Sequence, residues 1–454
     1  MSTLTKSYIV IADIILFVLL LNFLPFSPVE NKGLALLIFV AILWLTEAVH
    51  VTITAITIPV LAAVLGLVPT AKSLAGFADP NIYLFFGGFA LAAAMHIQKL
   101  DRIIAQRIMV LARGNFTLSV IFLFTITAFL SMWMSNTATA AMMLPLAIGM
   151  LSNIKYEENR NIFVFVLLGI AFSASLGGLG TLVGSPPNAI VASNLGLTFA
   201  DWFVIGFPFM VVLMPIMIVV LYLVFRPNLK IKVDFHDEKI DITGKRLATL
   251  AVFVVVALCW IFSAKINPLL SGALGLAQKI AAFDSVIAIF AAIIVVSLRL
   301  ISWKEVQDNT DWGVLMLFGG GITLSAVLKD SGASQIMADG IVFLIKDSHY
   351  FILGLLVSLF IIFLTEFTSN TASAALLVPL FISIAESVGA PPLGLALIIG
   401  LGASCAFMLP VATPPNAIVF GTGYIKQQEM IKIGIILNLI CSVVIAVGAY
   451  FFFL

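Results

Sequence analysis

Charge is what this sequence has least of. Asp, Glu, Lys and Arg make up 10% of its 454 residues, against roughly 25% in an ordinary soluble domain. They nearly cancel, leaving a net charge of +1, so no field of one sign invites nucleic acid or an acidic partner. Cysteine is scarce as well. Cys259, Cys405 and Cys441 stand singly in apolar runs, with neither metal spacing nor a disulfide framework. The four histidines, His50, His96, His236 and His349, fall near the ends of apolar stretches or in loops. There is no HExxH motif and no pair of aspartates within an apolar run, which argues against an intramembrane hydrolase and against an enzyme generally.

What fills the sequence instead is hydrocarbon, at 62% hydrophobic residues. A single soluble core cannot bury that much apolar surface, whereas a lipid solvent accepts it in stretches of about 20 residues. Such stretches fall near 8–24, 34–49, 51–68, 81–98, 162–196, 202–226, 248–264, 283–301, 312–328, 393–423 and 429–453. The first is too long for a signal-peptide core and lacks a cleavage site before Pro25, so it reads as a retained helix. Two more stretches, 117–150 and 350–388, are too long for one helix and carry polar residues at their centres. Each reads as a re-entrant hairpin. The fold class is therefore an all-α polytopic membrane protein of about eleven spans and two hairpins, with the termini on opposite sides. With the N-terminus inside, seventeen of the 23 Lys and Arg fall on the inner side, as the positive-inside rule requires. The connection 227–247 mixes acids and bases and reads as a solvated cytoplasmic linker. Segments 99–113 and 333–346 read as helices lying along the membrane surface.

The chain also repeats itself. Residues 135–148 read SNTATAAMMLPLAI and residues 369–382 read SNTASAALLVPLFI, identical at nine of fourteen positions. Gly184-Ser185-Pro186-Pro187-Asn188 follows the first copy, and Ala412-Thr413-Pro414-Pro415-Asn416 follows the second. Phe86-Gly87-Gly88 precedes one, and Phe318-Gly319-Gly320 the other. Each unit holds five spans and a hairpin, and an odd number of spans inverts the second copy in the membrane. Inverted repeats are a signature of secondary transporters, with the site at the repeat interface.

These residues suit an anion. The paired prolines remove amide donors and clash with a preceding turn, so each pair is expected to split its span into half-helices. Broken ends expose amides that attract anions and carbonyls that attract cations. The Ser-Asn-Thr tips add neutral donors and acceptors. No Lys or Arg falls beside these motifs at the membrane centre, so a dianion must be held by neutral donors, helix ends and co-bound cations. Sulfate would suit such donors too, and two occluding hairpins favour alternating access over a channel. Glu366 lies three residues before Ser369, where the first copy has Met132. Its carboxyl at membrane depth leaves two readings open, one functional and one a hydrogen-bonded structural role. Glu47, His50 and His96 read as interfacial and Asp13 as peripheral.

On these motifs, from about residue 34 to the C-terminus, the chain resembles bacterial members of the divalent-anion/sodium symporter family, the dicarboxylate and citrate carriers of the "I'm not dead yet" type. The resemblance implies a homodimer in the plasma (inner) membrane, working as an elevator, with lipid around it and no cofactor other than sodium as a coupling ion. It implies a scaffold in 1–113 with a first arm helix (99–113), and the first half of a transport domain in 114–226. The linker, the second scaffold half and the second arm helix (333–346) would occupy 227–346, and the second transport half 347–454. It also implies C4-dicarboxylates such as succinate, malate and fumarate, extending to 2-oxoglutarate. Carried over by motif, substrate carboxylates would meet Ser135, Asn136, Thr137, Ser369, Asn370 and Thr371, with Ser185, Pro186, Thr413 and Pro414 lining the same pocket. In sodium-coupled members one cation would sit at Ser131, Ser135, Asn136 and Gly184, and another at Thr365, Thr368, Asn370 and Ala412. Family members that exchange dicarboxylates without sodium share these motifs, so a sodium-independent exchanger stands beside the symporter.

Overall fold

The computed structural model describes residues 3–152, 154–231, 241–337, 339, 350–387 and 389–453. Within them the chain is helical, with no strand among the described residues. The first half runs α1 Thr3–Phe23, α2 Pro28–Thr46, α3 Val51–Val64, α4 Thr70–Ala75, α5 Pro80–Ile97, α6 Leu100–Val110, α7 Phe116–Ser131, α8 Asn136–Leu151, α9 Tyr156–Gly177, α10 Pro186–Leu195 and α11 Phe199–Phe225. The second runs α12 Gly244–Ile261, α13 Ser263–Ala273, α14 Phe283–Ser297, α15 Trp303–Asn309, α16 Trp312–Ser331, α17 Tyr350–Leu364, α18 Asn370–Ser387, α19 Pro392–Ala403, α20 Pro414–Phe420 and α21 Gln427–Phe452. Nine helices among the described residues are long and apolar enough to cross a membrane. Several of the other expected spans are shorter: α3 has 14 residues and α14 has 15, and 393–423 is split between α19 and α20. Residues 232–240 of the linker, and 338 and 340–346 of the second surface helix, lie outside the described residues.

Local chemistry sets the boundaries. Ser27 with Glu30, Thr198 with Asp201, and Ser302 with Glu305 form capping boxes at the starts of α2, α11 and α15, satisfying amides that a helix start leaves unpaired. Both expected hairpins form. α7 and α8 turn at Met132–Ser135, where the Ser135 hydroxyl accepts from the Ala138 amide at 3.2 Å. α17 and α18 turn likewise, with Ser369 accepting from Ala372 at 3.3 Å.

The most extensive helix contacts fall into two groups, which also meet where α16 packs on α10 and α18. In one, α5 lies on α14, α3 on α16 and α1 on α2; in the other, α7 lies on α9, α9 on α11, α17 on α21 and α18 on α19. α6 touches both α5 and α7. The Phe-Gly-Gly motifs are crossing points. A Cβ on Gly87 would come within 2.3 Å of the Ala288 carbonyl oxygen, and one on Gly320 within 2.7 Å of Ala55. Small residues let these helices approach backbone to backbone. Each short half-helix packs on the other repeat: α10 on α18 and α19, α20 on α8 and α9. That exchange brings the two hairpin tips to one place.

Asp13, expected to be peripheral, is 2% exposed and is the one buried residue of α1. α1 packs on α2, with the tilted Phe17 and Phe39 rings 5.1 Å apart across that contact.

Candidate functional site

The two helix breaks are built alike. α9 ends at Gly177, and two 3-10 turns (178–180 and 182–184) lead to extended Ser185 before α10. Asn188 donates from its side-chain amide to the carbonyls of Gly178 at 2.8 Å and Thr181 at 2.7 Å. In the second repeat Asn416 donates to the carbonyls of Ala406 at 3.2 Å and Leu409 at 3.1 Å. The asparagine of Pro-Pro-Asn is thus a clasp that satisfies carbonyls freed by the unwinding. The prolines are not where the helix fails. They occupy the first positions of α10 and α20, which proline tolerates because those amides lack intrahelical partners; the unwound stretch lies upstream. Two of the amides expected at each break are therefore absent, whereas α8 and α18 begin with residues that keep theirs.

The clasped loops are held to the hairpins differently in the two repeats. Thr181 donates its hydroxyl to the Met132 carbonyl. Opposite it in the second repeat, Glu366 is fully buried and accepts from the amides of Met408 and Leu409, each at 2.9 Å, and from the Asn438 side chain at 2.7 Å. Of the two readings for Glu366, the structural one accounts for every contact. It braces the second break against α17 and α21.

Between the tips and the breaks lies a cavity of about 650 Å³. All ten residues carried over for substrate line it: Ser135, Asn136, Thr137, Ser185, Pro186, Ser369, Asn370, Thr371, Thr413 and Pro414. Its floor joins the repeats, with the Ser185 and Ser404 hydroxyls 3.1 Å apart. The starts of α8, α10, α18 and α20 all point at it, and no Lys or Arg is among its lining residues. It opens past exposed Glu47, His96, Asn309 and Asp311. His96, expected at the interface, stands on the cavity wall with its Nδ1 2.8 Å from the buried Asp101 carboxylate. The signal for it was the stripe Phe85, Phe89, Ala92 and His96 at helical spacing on α5.

The residues expected around cations are only partly brought together. Ser131 and Gly184 converge with the Ala174 carbonyl on the Asn136 side chain. The Ser131 hydroxyl lies 2.6 Å from both the Asn136 oxygen and the Ala174 oxygen, and has one proton for the two. Turned over, the Asn136 amide would instead donate to Ser131, Ala174 and Gly184 at 2.6, 3.0 and 3.3 Å. Such a convergence of neutral oxygens suits a hard cation. Ala174 was not legible, since a backbone carbonyl leaves no mark in sequence. In the second repeat, Ala412, Thr368 and Asn370 line the cavity, and the Asn370 oxygen is buried without a hydrogen-bond partner. Thr365 lies behind them, fully buried, with its hydroxyl donating to Ile361 at 2.9 Å.

The sequence profile of the sodium:sulfate symporter transmembrane region matches residues 3–454. The chain belongs to that family. It is a multi-pass membrane transporter and not an enzyme. An "uncharacterized transporter" of Haemophilus influenzae is 66% identical over 98% of this chain and 97% of its own length. The sodium-dependent dicarboxylate transporter SdcS of Staphylococcus saprophyticus is 33% identical over 96% of this chain and 89% of its own. The solved YdaH transporter of Alcanivorax borkumensis superposes with a TM-score of 0.57 over 84% of this chain and 88% of that one. At 15% identity that likeness concerns the fold alone.

Proposed function

We propose that the chain is a secondary transporter that moves C4-dicarboxylates such as succinate, malate and fumarate by sodium-coupled symport. The observation that carries this is a cavity with two Ser-Asn-Thr tips, four helix starts and no Lys or Arg in its lining. Each helix start is equivalent to about half a positive charge. The starts of α8 and α18 supply such shares, the proline-led α10 and α20 smaller ones, and together they offset a large part of the two charges of a dicarboxylate. The oxygens around Asn136 and the unpaired oxygen of Asn370 support cation positions beside the substrate. The named activity of the Staphylococcus relative supports the same pairing of sodium and dicarboxylate.

A homodimer moving as an elevator fits the two helix groups joined by α6. The group with α5, α14, α3 and α16 would serve as scaffold, and the group with the hairpins would carry the substrate. With the N-terminus on the cytoplasmic side of the plasma membrane, the mouth at Glu47, His96 and Asp311 faces the cytoplasm. A sodium-independent exchanger is the second reading, because the helix starts alone offset a large part of a dianion's charge. Uptake of succinate into proteoliposomes separates the two. Symport predicts uptake into empty vesicles that rises steeply with external sodium. Exchange predicts uptake that ignores sodium and requires dicarboxylate preloaded inside. Failure to move any dicarboxylate under either condition overturns both.

A further inference from the structure

The two repeats bring the same motif to the cavity with different neighbours. Two residues before Ser-Asn-Thr stands Trp133 in the first copy and Phe367 in the second; just before the Gly-Ser-Pro-Pro and Ala-Thr-Pro-Pro sequences stand Val183 and Val411. In the first repeat both are packed against neighbours, Val183 only bordering the cavity. The Trp133 ring stacks on Phe199 at 5.9 Å and meets Phe253 edge-on at 5.3 Å, and Val183 is 9% exposed. In the second repeat both stand free in the cavity, with Phe367 73% and Val411 81% exposed. Across from the polar tips, α5 adds Phe85, Phe89, Ala92 and Ala93 to the lining. Neutral hydrogen-bonding groups are therefore gathered at the tips and helix starts, and polar side chains at the mouth, while Phe85, Phe89, Phe367 and Val411 present hydrocarbon to the same cavity.

That division fits one kind of anion better than another. Sulfate has oxygens on every side, and each loses water that an apolar wall does not replace. A dicarboxylate has polar ends and an apolar middle, and its methylenes gain by covering exposed Phe and Val surface. We propose that Phe367 and Val411 are specificity-determining residues that contact the carbon chain of the substrate and select organic dicarboxylates over inorganic oxyanions. The proposal rests on the dicarboxylate reading above, and it assigns the choice of substrate to residues outside the repeated motif. Both side chains are exposed, so shortening them removes substrate contact without hollowing a core.

The test compares wild-type, Phe367→Ala and Val411→Ala proteins in proteoliposomes, measuring inhibition of labelled succinate uptake by unlabelled succinate and by sulfate. One lost methylene-sized contact weakens binding roughly fourfold. Val411→Ala, losing one such contact, is therefore expected to raise the succinate inhibition constant roughly fourfold, and Phe367→Ala, losing two, roughly fifteenfold, with the sulfate constant unchanged. The succinate-to-sulfate preference falls by the same factors. Wild-type vesicles that prefer sulfate overturn the dicarboxylate reading and this inference with it. Wild-type vesicles that prefer succinate, with variants that keep the ratio, overturn this inference alone. Equal loss toward both anions marks a gating role and overturns it too.

Discussion

Replacing Glu366 with Ala tests whether the second break depends on one carboxylate. The side chain is fully buried and receives three hydrogen bonds, two at 2.9 Å and one at 2.7 Å. Removing it strands the amides of Met408 and Leu409 and the Asn438 amide, each a buried donor whose loss of a partner costs about 1–3 kcal/mol. Water entering the vacated space relieves part of this, leaving a net cost of about 4 kcal/mol. The loss is local to the loop that presents Ala412 and Thr413 to the cavity, so transport should vanish. Glu366→Gln keeps the volume but leaves one acceptor oxygen and turns an NH2 toward donors; it should fall between wild type and Ala. The assays are thermal unfolding of the detergent-solubilised full-length protein and succinate uptake after reconstitution. An Ala variant with wild-type melting and wild-type uptake would refute the bracing role.

Other expectations concern the motif, the coupling and the orientation. Asn188→Ala and Asn416→Ala each free two carbonyls from the clasp; each should cost about 1–3 kcal/mol, lower the melting temperature and weaken uptake, and a variant neutral in both assays would contradict the clasp. Asn136→Ala or Asn370→Ala should abolish or strongly weaken succinate transport while the folded protein still elutes as wild type does on size exclusion; normal transport by both would remove the proposed site. Thr365→Val should raise the sodium concentration needed for half-maximal uptake before it changes succinate affinity, and an unchanged sodium curve would discard that position. A cysteine placed in 227–247 should react with an impermeant thiol reagent from the cytoplasmic side only; labelling from outside in intact cells would invert the orientation.

The architecture was legible because it is written twice. One Ser-Asn-Thr in a membrane helix reads as a packing contact, whereas two copies, each followed at similar spacing by Pro-Pro-Asn, fix both hairpins and both breaks. The position of the breaks was less legible. Proline marks where a helix can start as well as where it cannot continue, and the sequence does not say which; the unwound residues 178–185 lie before Pro186. The clasps of Asn188 and Asn416 were hidden because their acceptors are backbone carbonyls. Glu366 was ambiguous for the same reason, since two of its three partners are amides. His96 was read only as interfacial although it shares a helical stripe with Phe85 and Phe89, and Phe367 escaped notice because its place on the cavity wall depends on how α5 and the second hairpin face each other, a relation between distant segments that no local pattern encodes.

The clasps have a consequence for how the protein is made. Each closes between residues seven to ten apart, a loop so short that it forms in the time a nascent segment samples its local conformations. The cavity floor, by contrast, waits for Ser185 to meet Ser404, 219 residues later. Each break can therefore take its shape from its own repeat alone, the first of them before its partner repeat exists. The late step is the docking of two preformed halves. A clasp variant should then fail early, as a segment that never becomes a proper half, and a floor variant should fail late, as two intact halves that do not close on each other.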